Sequence, residues 1–141
     1  DLDGDALGDL LVGVLLENQA QLYLAPAFAP ASPILLSPAH PGDIHGGRGV
    51  AVADVDGDGR NDALVAAGSC TSPGPGVLCG SVTAYFGKTL AASAYVVDSE
   101  ILPWSLAAGD VDGDGRDEIV VGHPGGSPMF LTGAGSVLVS K

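Results

Sequence analysis

Basic residues are scarce in this chain: five Lys and Arg stand against 17 Asp and Glu, for a formal charge of −12. Arg48, Arg60, Lys88, Arg116 and Lys141 are scattered, so no basic footprint exists for a phosphate backbone, and nucleic acid is excluded as a partner. No apolar run reaches the roughly 18 residues of a membrane-spanning helix. No signal-peptide pattern opens the chain, and because Asp1 already lies inside a motif, the true N-terminus is expected elsewhere. Aromatic residues are few, at 5 %, with a single Trp and a single Met, so any core must be assembled from Ala, Val and Leu. Cysteine is limited to Cys70 and Cys79, whose C-x₈-C spacing is neither a metal-binding nor a thioredoxin motif. The pair reads as a disulfide closing a hairpin loop, worth at most about 2–3 kcal/mol by loop-closure entropy, with two free thiols as the alternative. Such a bond implies an oxidising compartment.

What is abundant is glycine, proline and small apolar residues, with 22 Gly and 10 Pro in 141 residues. That is the make-up of many short strands joined by tight turns, in a chain long enough for one domain with a core. One nonapeptide occurs three times: Asp1 to Asp9, Asp54 to Asp62 and Asp110 to Glu118. Acidic residues occupy its positions 1, 3, 5 and 9, and glycine its position 4. Position 6 is glycine in two copies and Ala6 in the first, which makes that loop the more strained of the three. So many carboxylates on one turn repel each other unless a cation lies among them. A hard divalent ion taking six to eight oxygens in flexible geometry suits this best, so up to three Ca²⁺ are expected. The ligand sets are the carboxylates of Asp1, Asp3, Asp5 and Asp9 with the carbonyl of Leu7; Asp54, Asp56, Asp58 and Asp62 with the carbonyl of Arg60; and Asp110, Asp112, Asp114 and Glu118 with the carbonyl of Arg116. Asp117 could compete with Glu118. Thirteen of the 17 acidic residues lie in these loops, so three bound Ca²⁺ bring the formal charge to about −6. Metal-free Asp/Gly turns are the alternative for a single copy, and three copies weigh against it.

An EF-hand needs a bidentate Glu at position 12 and flanking helices. Position 12 here is Val12, Val65 or Val121, inside short apolar runs that read as buried strands. The loop therefore joins two strands. Successive loops begin 53 and 56 residues apart, and each period repeats the order of loop, apolar strand, alternating strand and further short strands. Strands are expected at 9–14, 19–25, 33–37, 48–53, 62–67, 81–86, 94–98, 104–109, 118–122 and 135–140. Four strands per period of about 50 residues describe blades of a β-propeller, an all-β fold of antiparallel sheets. The periods are 1–53, a partial blade with the first loop and the start of the next blade; 54–109, the second loop and the rest of the complete blade; and 110–141, the third loop and another partial blade. Too few blades are present for a ring of typically 4–8. The chain is therefore expected to be a piece of a longer protein or to be completed by other chains, its first partners being other blades.

The segment Ala108-Gly109-Asp110-Val111-Asp112-Gly113-Asp114-Gly115-Arg116-Asp117-Glu118-Ile119-Val120-Val121-Gly122-His123-Pro124 resembles the FG-GAP repeat family, the integrin α-chain type of propeller. Gly80 to Phe86 and Gly135 to Val139 are similar to the strand that follows. The resemblance implies a propeller of about seven blades in the parent, with calcium held between the first two strands of a blade. The family's Phe-Gly dipeptide is absent; Gly46-Gly47 and Leu102-Pro103 stand in its place, with Trp104 expected to supply core bulk. The Gly-Ala-Pro triplet is replaced by Gly13-Val14-Leu15, Ala66-Ala67-Gly68 and Gly122-His123-Pro124.

Nothing assembles a catalytic site. His40, His45 and His123 are scattered over separate loop segments, and Ser69, Ser72 and Ser81 lack a nucleophile-elbow context. The side chains of Arg60 and Arg116 are expected to point outward as solvated charges. The expectation is a non-catalytic, calcium-stabilised extracellular scaffold for adhesion or for recognition of a protein or glycan. Two competing readings are a propeller within a secreted carbohydrate-active or hydrolytic enzyme and a structural surface or filament protein.

Overall fold

The computed structural model describes residues 1–26, 33–37, 45–68, 80–97, 103–122, 129–131 and 137–139. Within them the chain forms three antiparallel sheets, one for each repeat. The first contains β1 (Leu10–Val14), β2 (Gln19–Tyr23) and β3 (Ile34–Leu36), paired in chain order. The second contains β4 (His45–Ala53), β5 (Asp62–Ala67), β6 (Gly80–Phe86) and β7 (Ala91–Val97). The third contains β8 (Ser105–Gly109), β9 (Glu118–Gly122), β10 (Met129–Leu131) and β11 (Val137–Val139). The all-β class stands, and the meandering sheets are those of a propeller fragment; among the described residues no sheet closes on itself.

One blade differs from expectation. The third sheet has four strands where the sequence suggests three, because Met129–Leu131 pairs with both β9 and β11, placing Phe130 opposite Val120 and Leu138. Three residues are too few to display the alternation by which a strand is read from sequence.

The two central strands of the middle blade, β5 and β6, are buried on both faces, which explains the unbroken run of small apolar residues in β5. Side chains alternate across a strand, so neighbours on β5 serve different cores. Ala63 and Val65, with Tyr85 of β6, join Leu2, Ala20, Leu22 and Leu36 between the first and second sheets. Leu64, with Val82 and Ala84, joins Ala53, Val55, Ile119 and Val121 between the second and third. The first two acidic loops contribute their second residue to this packing: Leu2 and Val55 are buried. Val111, at the same position of the third loop, is 65 % exposed, because no further sheet follows it among the described residues.

Small residues also set how closely blades approach. β1 packs against β4, and β4 against β8. A Cβ on Gly49 of β4 would stand 3.0 Å from the Leu106 backbone nitrogen of β8, so this crossing requires glycine. Trp104, expected in the core, is instead 55 % exposed. It directly precedes β8, and its backbone N–H donates to Gly122 O at 2.8 Å, extending the β8–β9 ladder by one bond.

Thr83 on β6 is buried, and its hydroxyl has no hydrogen-bond partner among the described residues. An unpaired buried hydroxyl costs more than the methyl that would replace it. Thr83→Val is therefore expected to raise stability by about 1 kcal/mol in urea denaturation; a loss of stability would show that the hydroxyl is bonded.

Candidate metal centres

Each acidic loop is folded by its own carboxylates. The first-position aspartate spans the turn. Asp1 accepts from the amides of Gly4 (2.7 Å) and Ala6 (2.9 Å), and Asp110 from those of Gly113 (2.6 Å) and Gly115 (3.0 Å). Asp54 accepts from Gly57 (2.8 Å), Asp58 (3.1 Å) and Gly59 (2.8 Å). Asp3, Asp56 and Asp112 each accept from the amide two residues on, and so do Asp5, Asp58 and Asp114, at 2.8–3.1 Å. This winding needs the left-handed conformation at positions 4 and 6. Gly57 and Gly59 adopt it at φ 77° and 83°, and Ala6 is forced into it at φ 67°. For a residue with a Cβ that conformation costs about 1 kcal/mol, which is the strain expected of the first loop.

The winding brings side-chain oxygens together. Asp1, Asp3 and Asp5 each place a carboxylate oxygen within 4.8 Å of the others, as do Asp54, Asp56 and Asp58 in the second loop and Asp110, Asp112 and Glu118 in the third. Asp9, Asp62 and Asp114 lie outside these groups. The ninth position has a different task. Asp62 accepts from Val55 N (3.0 Å) at the start of its loop and from Gly87 N (2.9 Å) beyond the end of β6. Asp9 repeats this with Leu2 N (2.6 Å) and Ala25 N (3.0 Å), and Glu118 accepts from Val111 N at 2.9 Å. Each oxygen that accepts one N–H keeps a second lone pair, so Asp9 and Asp62 remain eligible as ligands. The longer Glu118 both holds Val111 and reaches Asp110 and Asp112. Leu7, Arg60 and Arg116 occupy the seventh position as expected, each amide tied to the fifth-position aspartate.

Two kinds of contact between loops were not legible in the sequence. Asp117 does not compete with Glu118; it grips the preceding loop, donating its amide to Asp54 O (2.8 Å) and accepting from Asp54 N (2.9 Å) through its carboxylate. Arg60 and Arg116 are exposed, but they do not point away from the protein. Arg116 lies across Gly57 of the second loop, and Arg60 across Gly4 of the first. Adjacency of the blades creates both contacts, and a repeat read in isolation carries no sign of them. Cys70, Cys79, His40, His123, Ser69 and Ser72 lie outside the described residues, as does the side chain of His45. Ser81 is buried within β6.

Two family models match the chain. The FG-GAP repeat matches residues 102–140 and the FG-GAP-like repeat residues 1–65, which together take in all three acidic loops and most of the sequence. Comparison with curated proteins and with solved structures gives no match.

Burial raises the Asp62 carboxyl from 3.8 to about 6; the amides of Gly87 and Val55 oppose the rise, and the charges of Asp56 and Asp54 add to it. The folded chain thus holds this proton more tightly than the unfolded chain. The resulting stability is complete below the unfolded value of 3.8 and is lost as pH climbs through about 6. In EDTA, wild-type stability measured against the non-titrating Asp62→Asn variant is expected to fall across that window, by at most about 3 kcal/mol. A difference that stays flat with pH would contradict this.

Proposed function

The chain belongs to the FG-GAP repeat family, and on that footing we propose that it is a calcium-stabilised, non-catalytic propeller scaffold acting outside the cell in adhesion or in recognition of a protein or glycan. FG-GAP domains are in general non-catalytic scaffolds and typically occur in extracellular or surface proteins. The observation that carries the proposal is the recurrence, at the same turn of every repeat, of three converging carboxylates. An active site is a single constellation of unlike groups around one pocket. A constellation of like groups repeated blade after blade is instead a device for holding each blade's turn in shape.

The donor set is entirely hard oxygen, which suits Ca²⁺ and discriminates against metals that favour thiolate or imidazole. Bound calcium would supply a double positive charge among these carboxylates, offsetting their mutual repulsion. Asp1, Asp3 and Asp5, Asp54, Asp56 and Asp58, and Asp110, Asp112 and Glu118 would hold it. Asp9 and Asp62, fixed by two amides each, keep the loop seated on its sheet whether or not metal is present. At millimolar calcium and a site Kd of 10⁻⁴–10⁻³ M, each filled loop adds roughly 0.5–1.6 kcal/mol by linkage. That is a useful increment for a core made largely of Ala and Val. The partners nearest at hand are neighbouring blades. An extracellular setting also agrees with the expected Cys70–Cys79 disulfide.

The test is a thermal melt of the full-length protein in calcium, in magnesium and in EDTA. The Tm is expected to be highest in calcium and similar in the other two. Equal Tm in all three would sink the calcium reading.

A further inference from the structure

We propose that the seventh-position arginine of the second and third acidic loops, Arg60 or Arg116, serves the loop of the preceding blade: its guanidinium is that loop's resident counter-charge, steadying the carboxylates without metal and opposing the entry of calcium. The second half of this statement rests on the calcium reading above. The first half does not.

The same relation appears twice. The Cγ and Nε of Arg116 lie 2.9 and 3.0 Å from the point where a Cβ on Gly57 would stand. The Nη1 and Cζ of Arg60 lie 3.5 and 3.6 Å from the corresponding point on Gly4. In each case the arginine of one loop covers the fourth-position glycine of the loop before it. That glycine sits between two carboxylates of the converging group, Asp3 and Asp5 in the first loop and Asp56 and Asp58 in the second. The fourth-position glycine has a left-handed backbone, at φ 82° for Gly4 and 77° for Gly57; at Gly57 the arginine also lies close enough to crowd a Cβ, whereas at Gly4 it lies at ordinary contact distance.

The placement is held by backbone. Asp117 follows Arg116 directly, and its two hydrogen bonds to Asp54 fix the root of the arginine beside the second loop. The third loop provides an internal control, because nothing lies within 4 Å of the Cβ position of Gly113. Two of the three loops therefore carry a foreign cation, and the third does not among the described residues. A fixed positive charge beside a cluster of carboxylates lowers their mutual repulsion when metal is absent. It also repels an incoming divalent ion. Across several ångströms of solvent-exposed, salt-screened surface, the effect on calcium affinity is roughly two- to fivefold.

The test is to compare wild type, Arg116→Gln and Arg116→Lys in the full chain. Calcium is titrated while the backbone amides of Gly57 and Gly59 report on the second loop and those of Gly113 and Gly115 on the third, by NMR. Although Arg116 belongs to the third loop, its replacement by Gln is expected to tighten the second loop roughly two- to fivefold and leave the third unchanged. In EDTA at low ionic strength, Arg116→Gln is expected to melt below both wild type and Arg116→Lys. The gap should close in about 1 M NaCl, where such charges are screened. A shift in the third loop equal to that in the second, or no tightening of the second, overturns the inference. So does a loss in EDTA that Lys does not rescue or salt does not remove, since that would mark a packing role. If the wild-type glycine amides ignore calcium, the metal reading fails by itself, and the EDTA comparison alone decides whether the counter-charge stands.

Discussion

A single kind of hydrogen-bonded bracket holds the repeats in shape. The ninth residue of the acidic loop is the first residue of the strand that follows, or its immediate neighbour. From there its carboxylate reaches back to the amide of the loop's second residue. In the first two repeats it also reaches sideways to an amide beyond the next strand, Ala25 or Gly87. The loop is thereby tied to two strands of its own sheet. Its second residue, Leu2 or Val55, is delivered into the core between that sheet and the next. Burying Asp62 is tolerated because both of its oxygens are bonded, although burial still raises its pKa.

On this frame the blades stack through small side chains. Ala20, Ala63 and Val65 line one interface, and Ala53, Leu64 and Ala84 the other. Such interfaces bury little apolar area per residue and gain correspondingly little from the hydrophobic effect. Links between neighbouring loops, through Asp117 to Asp54 and through the arginines laid over glycine, supplement them on the polar side. A cation held by the converging carboxylates would act at the same seam, which is where a thinly cored repeat array has most to gain.

Much of this was legible in the sequence, because it depends on contacts within one repeat. The periodic acidic loops marked the turns, and the apolar runs after them gave β5 and β9 at their observed limits. Ala6 in place of glycine announced the strained position that the backbone shows. The failures share a cause. Asp117, Arg60 and Arg116 are placed by what the adjacent blade presents to them, which no single repeat encodes. Met129–Leu131 escaped for a different reason, its brevity. In the site itself the converging carboxylates at positions 1 and 3 were legible from spacing. The ninth position's double duty was not, since the amides it binds lie as far as 25 residues away, at Gly87.

The central claim is that each acidic loop is one metal centre. It is tested most directly by counting calcium in the purified protein after equilibrium dialysis, in wild type and in Asp54→Ala. The account predicts that the substitution removes one calcium per chain and leaves the others bound. An unchanged count, or no calcium in either protein, would contradict it.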